Sequence, residues 1–243
     1  MISVIPVQGL PEIRQGDDLG ALIAEHAELE TGDIVVVAQK AVSKGEGRVV
    51  SLAGVEASER ARRLAGTGRD PRESEVILRE AARIVRSRNS LVIAETRHGF
   101  VCASAGVDHS NAPAEDTVVL LPLEPDASAA TIRATIRTQT GKDVGVVVTD
   151  SFGRPFRLGT TDVAIGAAGI RPLVDLRGTA DRAGLLLRST QVAVADEIAA
   201  AANLVRAGKA DGLPVVVVRG LGHALGEGSA AELVMPAERD LFR

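Results

Sequence analysis

Five short runs of Val, Ile and Leu punctuate this chain: DIVVVAQK at 33–40, LVIA at 91–94, TVVLLPL at 117–123, DVGVVVTD at 143–150 and LPVVVVRG at 213–220. Residues branched at Cβ favour extended backbone. DIVVVAQK and DVGVVVTD read as buried strands, and LVIA, TVVLLPL and LPVVVVRG as strands. None of these runs approaches the roughly 20 apolar residues that span a bilayer as a helix. With 243 residues, 45% hydrophobic and 25% charged, the chain has the balance of a soluble globular protein. That balance excludes a disordered, collagen-like or low-complexity chain.

Other elements lie between the runs. ISVIPV at 2–7 reads as a strand, and a helix is expected over 18–30. Asp70 and Pro71 form an N-cap and first helical position, and Ile77, Ala81, Ile84 and Val85 continue one apolar helical face. A further helix starts after Asp126 or Ser128 and reaches about Thr140. In 191–206, Val194, Ile198, Ala201, Ala202 and Val205 share a face. Strand–helix alternation alone suggests α/β. The long polar segments after strands, and hairpin-like pieces at 90–123, favour α+β. No linker divides the chain, so residues 1–243 read as a single unit.

Composition narrows the function classes. A lone cysteine, Cys102, forms no internal disulfide, and MISVIPVQGLPEIRQ lacks a basic region before an apolar core. The expected compartment is the reducing cytoplasm. No Cys/His cluster suggests structural zinc. A net charge of -4 and the absence of Trp and Tyr argue against a nucleic-acid partner. Three of the four Phe (Phe100, Phe152 and Phe156) fall in the two segments richest in candidate chemistry, a mild pointer to a site. GxxxxGK[ST] is absent, so the chain is not a P-loop NTPase. GLGHALG at 220–226 mimics a dinucleotide turn, but its spacing is GxGxxxG and only residues 227–243 follow it. A Rossmann βαβ unit does not fit there.

Polar residues at the ends of buried strands carry the candidate chemistry. Asp150 and Ser151 end VVVTDS; an isolated pair of this kind reads as an N-cap or turn. Here Asp150, Arg154, Arg157, Thr160, Thr161 and Asp162 lie within thirteen positions. Such a segment offers oxygens to a hard cation and guanidinium forks to phosphate or carboxylate. Asp108 and Asn111 form a second group, either an Asx-turn or a carboxylate on Mg²⁺ or Mn²⁺ beside a ligand-reading amide. His98 and His109, eleven apart with no third histidine near, are weak zinc ligands. Lys44, before Gly45 and Gly47, is either a solvated loop lysine or a point charge on phosphate.

Together these segments resemble the coenzyme F-420-0:γ-glutamyl ligases, the CofE family and the N-terminal half of actinobacterial FbiB proteins. The markers are VVVAQKAVSKGEGR at 35–48, ETRHGFVCASAGVDHSN at 95–111, VVVTDSFGRPFRLGTTDVAIGAAGI at 146–170, ADEIAAAANLV at 195–205 and LPVVVVRGL at 213–221. The resemblance implies a two-lobed α+β CofE-like fold, neither P-loop nor Rossmann, and a homodimer. It implies a GTP- and Mg²⁺- or Mn²⁺-dependent ligase that joins L-glutamate to the lactyl carboxylate of a coenzyme F-420 precursor. By the same resemblance Asp108, Asp150 and Ser151 hold metal and Asn111 contacts GTP. Leu10, Pro11, Glu12 and Ile13 form the N-terminal nucleotide turn, and Gln39, Lys40 and Lys44 hold the guanosine phosphates. One position departs: the family's MGQADEG is RAGKADG at 206–212, with Lys209 where a metal-ligating Gln is expected. An ammonium cannot ligate a metal. Either the alignment slips, or fewer ions bind, or Lys209 replaces an ion's charge. The alternatives to this reading are an amide ligase with another acceptor, a non-catalytic GTP- or metal-binding module, and a cofactor-binding oxidoreductase, the last disfavoured by the failed dinucleotide turn.

Overall fold

The computed structural model describes residues 1–206 and 212–241. In chain order the elements are β1 (Ser3–Pro6), α1 (Leu19–His26), β2 (Ile34–Ala38), α2 (Gln39–Gly45), β3 (Val49–Ser51), α3 (Glu59–Ala65) and α4 (Pro71–Glu80). Then come β4 (Ala81–Arg88), β5 (Leu91–Thr96), β6 (Val101–Ala103), β7 (Thr117–Val119) and α5 (Pro125–Thr140). The chain continues through β8 (Gly145–Arg154), β9 (Arg157–Ala168), β10 (Val174–Asp175), β11 (Gln191–Val192), α6 (Val194–Arg206) and β12 (Val215–Arg219).

Three of the Val-rich runs form the middle of a five-stranded sheet, ordered β1-β12-β2-β8-β9. Successive side chains in a strand face opposite ways. Val35, Val37, Val146, Val148, Val215 and Val217 therefore pack beneath α1 and α5, against Leu19, Ile23, Ile132 and Ile136. Ile34, Val36, Val147, Val216 and Val218 pack on the other side, against Ala195, Ile198 and Ala202 of α6. Both faces are dry, which is why the runs do not alternate. Each such side chain stabilises the fold by about 1.5–3 kcal/mol relative to exposure. A third core cluster, with Leu52, Ile77, Val92 and Leu120, lies apart from these. It underlies the small sheet β4-β5-β6 and the pair β3-β7. The fold is α+β. Only β2 and β8 pair in parallel among the named strands of the central sheet, so the doubly wound parallel sheet of a Rossmann unit is absent.

Two expectations are corrected. The helix capped by Asp70 ends at Glu80, so Ile77 lies on it but Ala81, Ile84 and Val85 lie on β4. The β-branched pair Ile84–Val85 sits in an antiparallel hairpin with the LVIA run, Ile84 opposite Ala94. Asn89 closes that hairpin at φ +53°, a conformation Asn tolerates. Nor does the strand DVGVVVTD end at Asp150. β8 runs on to Arg154 and turns through Pro155 and Phe156 into β9, which sets Ser151 directly opposite Asp162.

Strand β9 lies at the sheet edge, and two of its amides are satisfied by helix side chains. Ala167 N–H donates to Asp126 at 2.7 Å and Ala164 N–H to Asp196 at 2.8 Å, carboxylates from the first turns of α5 and α6. A Cβ on Gly166 would stand 2.4 Å from the Pro125 carbonyl oxygen, so glycine there lets α5 reach the strand.

Candidate functional site

The parallel pairing of β2 and β8 sets the last residue of β2, Ala38, opposite Thr149 of β8. Just beyond, β2 gives way to α2 at Gln39–Lys40 while β8 continues through Asp150–Ser151. The crevice outside adjacent parallel strand ends is where open sheets collect ligand-binding groups. A cleft of about 1120 Å³ opens there. Leu10, Pro11, Glu12, Ile13, Gln39, Lys40, Lys44, Asn111, Asp150 and Ser151 all line it. Residues from four separate stretches of sequence thus face one space.

Asp108 joins this group through Lys40. Its backbone is fastened to β7 by reciprocal hydrogen bonds with Val119, at 3.1 and 2.9 Å. Its carboxylate accepts from Lys40 Nζ at 2.6 Å and from the Ser110 amide at 2.8 Å. Burial works against ionisation of Asp108, but the hydrogen bonds from Lys40 and Ser110 outweigh it and hold the carboxyl well below the usual range. Asp150 differs. Burial pushes it up to about 6, helped by the charges of Asp108 and Asp162 and opposed by the Ser151 amide and Lys40. Lys44 donates to Glu12 at 2.5 Å, tying α2 to the N-terminal turn. Gln39 is 2% exposed, and its Oε1 accepts from Ser43 Oγ at 2.9 Å. Its Nε2 has no hydrogen-bond partner among the described residues, leaving a buried donor in a residue that lines the cleft. Burial also pushes the Cys102 thiol up to about 12, so it is no nucleophile at neutral pH.

Other candidates fall elsewhere. Arg154 and Arg157 sit on the exposed tip of the β8–β9 hairpin and do not line the cleft; Arg154 donates to the Leu158 carbonyl at 3.2 Å. His98 contacts the Leu123 carbonyl and His109 contacts Glu73, so the two histidines have separate partners. Of the phenylalanines, Phe100 and Phe152 pack edge to face at 6.2 Å with His98 stacked on Phe100, whereas Phe156 is exposed at the hairpin tip. Lys209 lies outside the described residues.

Arg206, absent from the sequence reading, lines the same cleft. It donates to Asp162 at 2.9 Å, to Thr149 Oγ1 at 2.8 Å and to the Val36 carbonyl at 3.0 Å. A signal was present: Ile198, Ala202 and Arg206 follow at intervals of four, so a charge closes an otherwise apolar stripe.

The donor set suits a hard divalent ion better than zinc. Among the described residues no three His, Cys, Asp or Glu side chains converge as a metal cage. Two carboxylates and a hydroxyl beside lysines match Mg²⁺ or Mn²⁺, which are commonly held by one or two carboxylates together with substrate phosphates.

Comparison with known proteins shows the family. The family model described as F420-0:Gamma-glutamyl ligase matches residues 9–220. The coenzyme F420:L-glutamate ligase of Methanopyrus kandleri is 47% identical over 247 residues, covering 100% of this chain and 98% of its own. Proteins of the same name from Methanothermobacter thermautotrophicus and Methanocaldococcus jannaschii are 43% and 44% identical, covering all of this chain and 99% and 97% of their own. The chain belongs to the F420-0:γ-glutamyl ligase family.

Proposed function

We propose that this member of the family forms an amide between the lactyl carboxylate of a coenzyme F420 precursor and the α-amine of L-glutamate, with GTP as the energy source. Family membership along the whole chain supports the ligase reading. The observation that carries the site is the cleft itself, where Lys40 at the start of α2 and Asp150–Ser151 of β8 meet residues 10–13 and Asn111.

A carboxylate resists amine attack because its charge is delocalised. In the proposed route an acceptor carboxylate oxygen attacks the γ-phosphorus of GTP, the bond to GDP breaks, and an acyl phosphate forms. The glutamate amine then attacks the acyl carbon, phosphate leaves, and the nitrogen loses a proton. Phosphoryl transfer is accelerated chiefly by positioning and charge neutralisation. Lys40 and Lys44 supply two positive charges for the phosphates, and each must exchange its present carboxylate, Asp108 or Glu12, for a phosphate oxygen. Gln39 Nε2 is a ready donor for a further oxygen. The turn 10–13 and Asn111 hold the nucleoside. Asp108, Asp150 and Ser151 would hold Mg²⁺ or Mn²⁺; when bound, the ion neutralises phosphate charge and polarises the γ-phosphoryl group.

The third core cluster, apart from the two that flank the central sheet, supports a two-lobed arrangement. A homodimer and a cytoplasmic setting complete the proposal. Among the described residues no helix is long and apolar enough to cross a membrane. Mass spectrometry of the deazaflavin after incubation with GTP, Mn²⁺ and glutamate tests the reading. Gain of one glutamyl residue with matching GDP release is expected. GDP release with a different carboxylate acceptor alone would point to another amide ligase, and nucleotide binding without turnover to a non-catalytic module.

A further inference from the structure

A buried hydrogen-bonded chain runs beneath the part of β8 that carries Asp150 and Ser151. Its first member, Arg206, closes α6 with its side chain 10% exposed, and its partner Asp162 on β9 is 4% exposed. The guanidinium donates to Asp162 Oδ2 at 2.9 Å, to Thr149 Oγ1 at 2.8 Å and to the Val36 carbonyl at 3.0 Å. The other carboxylate oxygen, Asp162 Oδ1, accepts the hydroxyl of Ser151 at 2.6 Å. Ser151, Thr149, Asp162 and Arg206 all border the cleft.

Packing alone does not require charges here. Taking an ion pair out of water costs about as much as the pair regains, and apolar residues of similar volume often serve a core equally well. What the charged pair does determine is the polarity of one hydrogen bond. A serine hydroxyl has one proton and two lone pairs. An ionised carboxylate only accepts, so beside Asp162 the hydroxyl must give its proton inward. Its lone pairs then remain for a ligand in the cleft, next to Asp150. Arg206 pairs with Asp162 and pins it in place. We infer that Asp162 and Arg206 are positioning residues, which act through Ser151 by turning its oxygen toward the divalent ion of the ligase reaction. The inference rests on the ligase reading above, and neither residue needs to touch substrate.

Mn²⁺ binding in the presence of GDP, followed by electron paramagnetic resonance of the free ion, tests it, with melting temperature and kcat measured alongside. In Asp162→Asn the amide can offer its oxygen to Arg206 only by turning its NH₂ toward Ser151. The hydrogen bond then reverses and the hydroxyl proton points away from the amide. Mn²⁺ affinity should fall roughly 10- to 100-fold, the usual consequence of losing a group that orients a metal ligand. Ser151→Ala should lose a similar amount, and the double variant should lose no more than Ser151→Ala alone. Arg206→Lys keeps a charge but cannot reach all three partners. It should show a smaller loss that likewise vanishes in the Ser151→Ala background, and it carries the test if Asp162→Asn does not fold. Wild-type Mn²⁺ affinity in a folded Asp162→Asn protein, or losses that add to that of Ser151→Ala, would overturn the inference. Asp150→Asn separates the two ideas: Mn²⁺ binding abolished there but intact in Asp162→Asn removes only the positioning role. A wild-type protein that takes up no Mn²⁺ removes the metal site and the inference together.

Discussion

At the scale of single residues, Asp150, which lines the cleft, and Asp108, which is tied to it through Lys40, have opposite circumstances. Asp108 is stabilised in its charged form by Lys40 and Ser110, whereas burial disfavours the charge of Asp150. An unneutralised carboxylate that burial disfavours costs folding energy, which the proposed divalent ion would offset. Asp150→Asn should therefore leave the melting temperature unchanged or raise it. Turnover should fall by about a thousandfold or more, equivalent to roughly 4 kcal/mol of lost charge stabilisation in the transition state. Steady-state GDP release together with a thermal melt checks both halves, and wild-type GDP release at low metal concentration would remove Asp150 from the site. The nucleotide preference belongs to this scale too. GTP should bind at least about tenfold more tightly than ATP, a difference of about 1.4 kcal/mol. Calorimetric titration with each nucleotide and Mn²⁺ measures it; equal affinities would leave the ligase reading standing without its guanine assignment.

Among the elements, α4 gives the clearest test of local rules. Asp70 accepts from the Arg72 amide at 2.7 Å and pairs with its guanidinium, and Pro71 holds the first helical position. Asp70→Ala should cost about 1 kcal/mol, the usual price of an N-cap. The hydrogen bonds from Arg72 hold the Asp70 carboxyl below its ordinary value of 3.8. The contribution is thus complete above about pH 4 and is lost as pH falls through the depressed value. The difference in denaturation midpoint between wild type and variant should shrink in acid; a pH-independent difference would show that the charge is irrelevant. The cap was readable in sequence because it depends on neighbours only. The end of the same helix was not. Ala81, Ile84 and Val85 continue a 3.6-residue period, but the competing hairpin with Leu91–Thr96 wins once a sheet partner is present. The β8–β9 hairpin is similar, since Gly, Pro and Arg at its tip suggest a loop until pairing extends both strands.

For the whole molecule, the proposed homodimer can be tested directly. Phe156 and Leu158 are 88% and 98% exposed at the β8–β9 tip, an apolar surface costly to leave in water. Light scattering should give about twice the 25.2 kDa chain mass, and Leu158→Asp should shift it toward the single mass. A monomer at concentrations where the enzyme is active would contradict the proposal. The amino-acid sequence by itself determined the three dry strands β2, β8 and β12, because their unbroken Val runs have no wet face to present; the LVIA run did not follow, since β5 leaves Leu91 55% exposed while Val92 and Ala94 are buried. The sequence also contains the segments whose resemblance to the family implies the proposed nucleotide and metal site. Only the tertiary structure decided how those motifs meet. The parallel pairing of β2 with β8 sets Lys40 near Asp150, and the bridge to Val119 carries Asp108 to Lys40 from 68 positions away. Arg206 became part of the site by the same route. A charge at the end of an apolar helix stripe is ambiguous in one dimension, and its meaning depends on Asp162, which only the folded sheet brings within 2.9 Å.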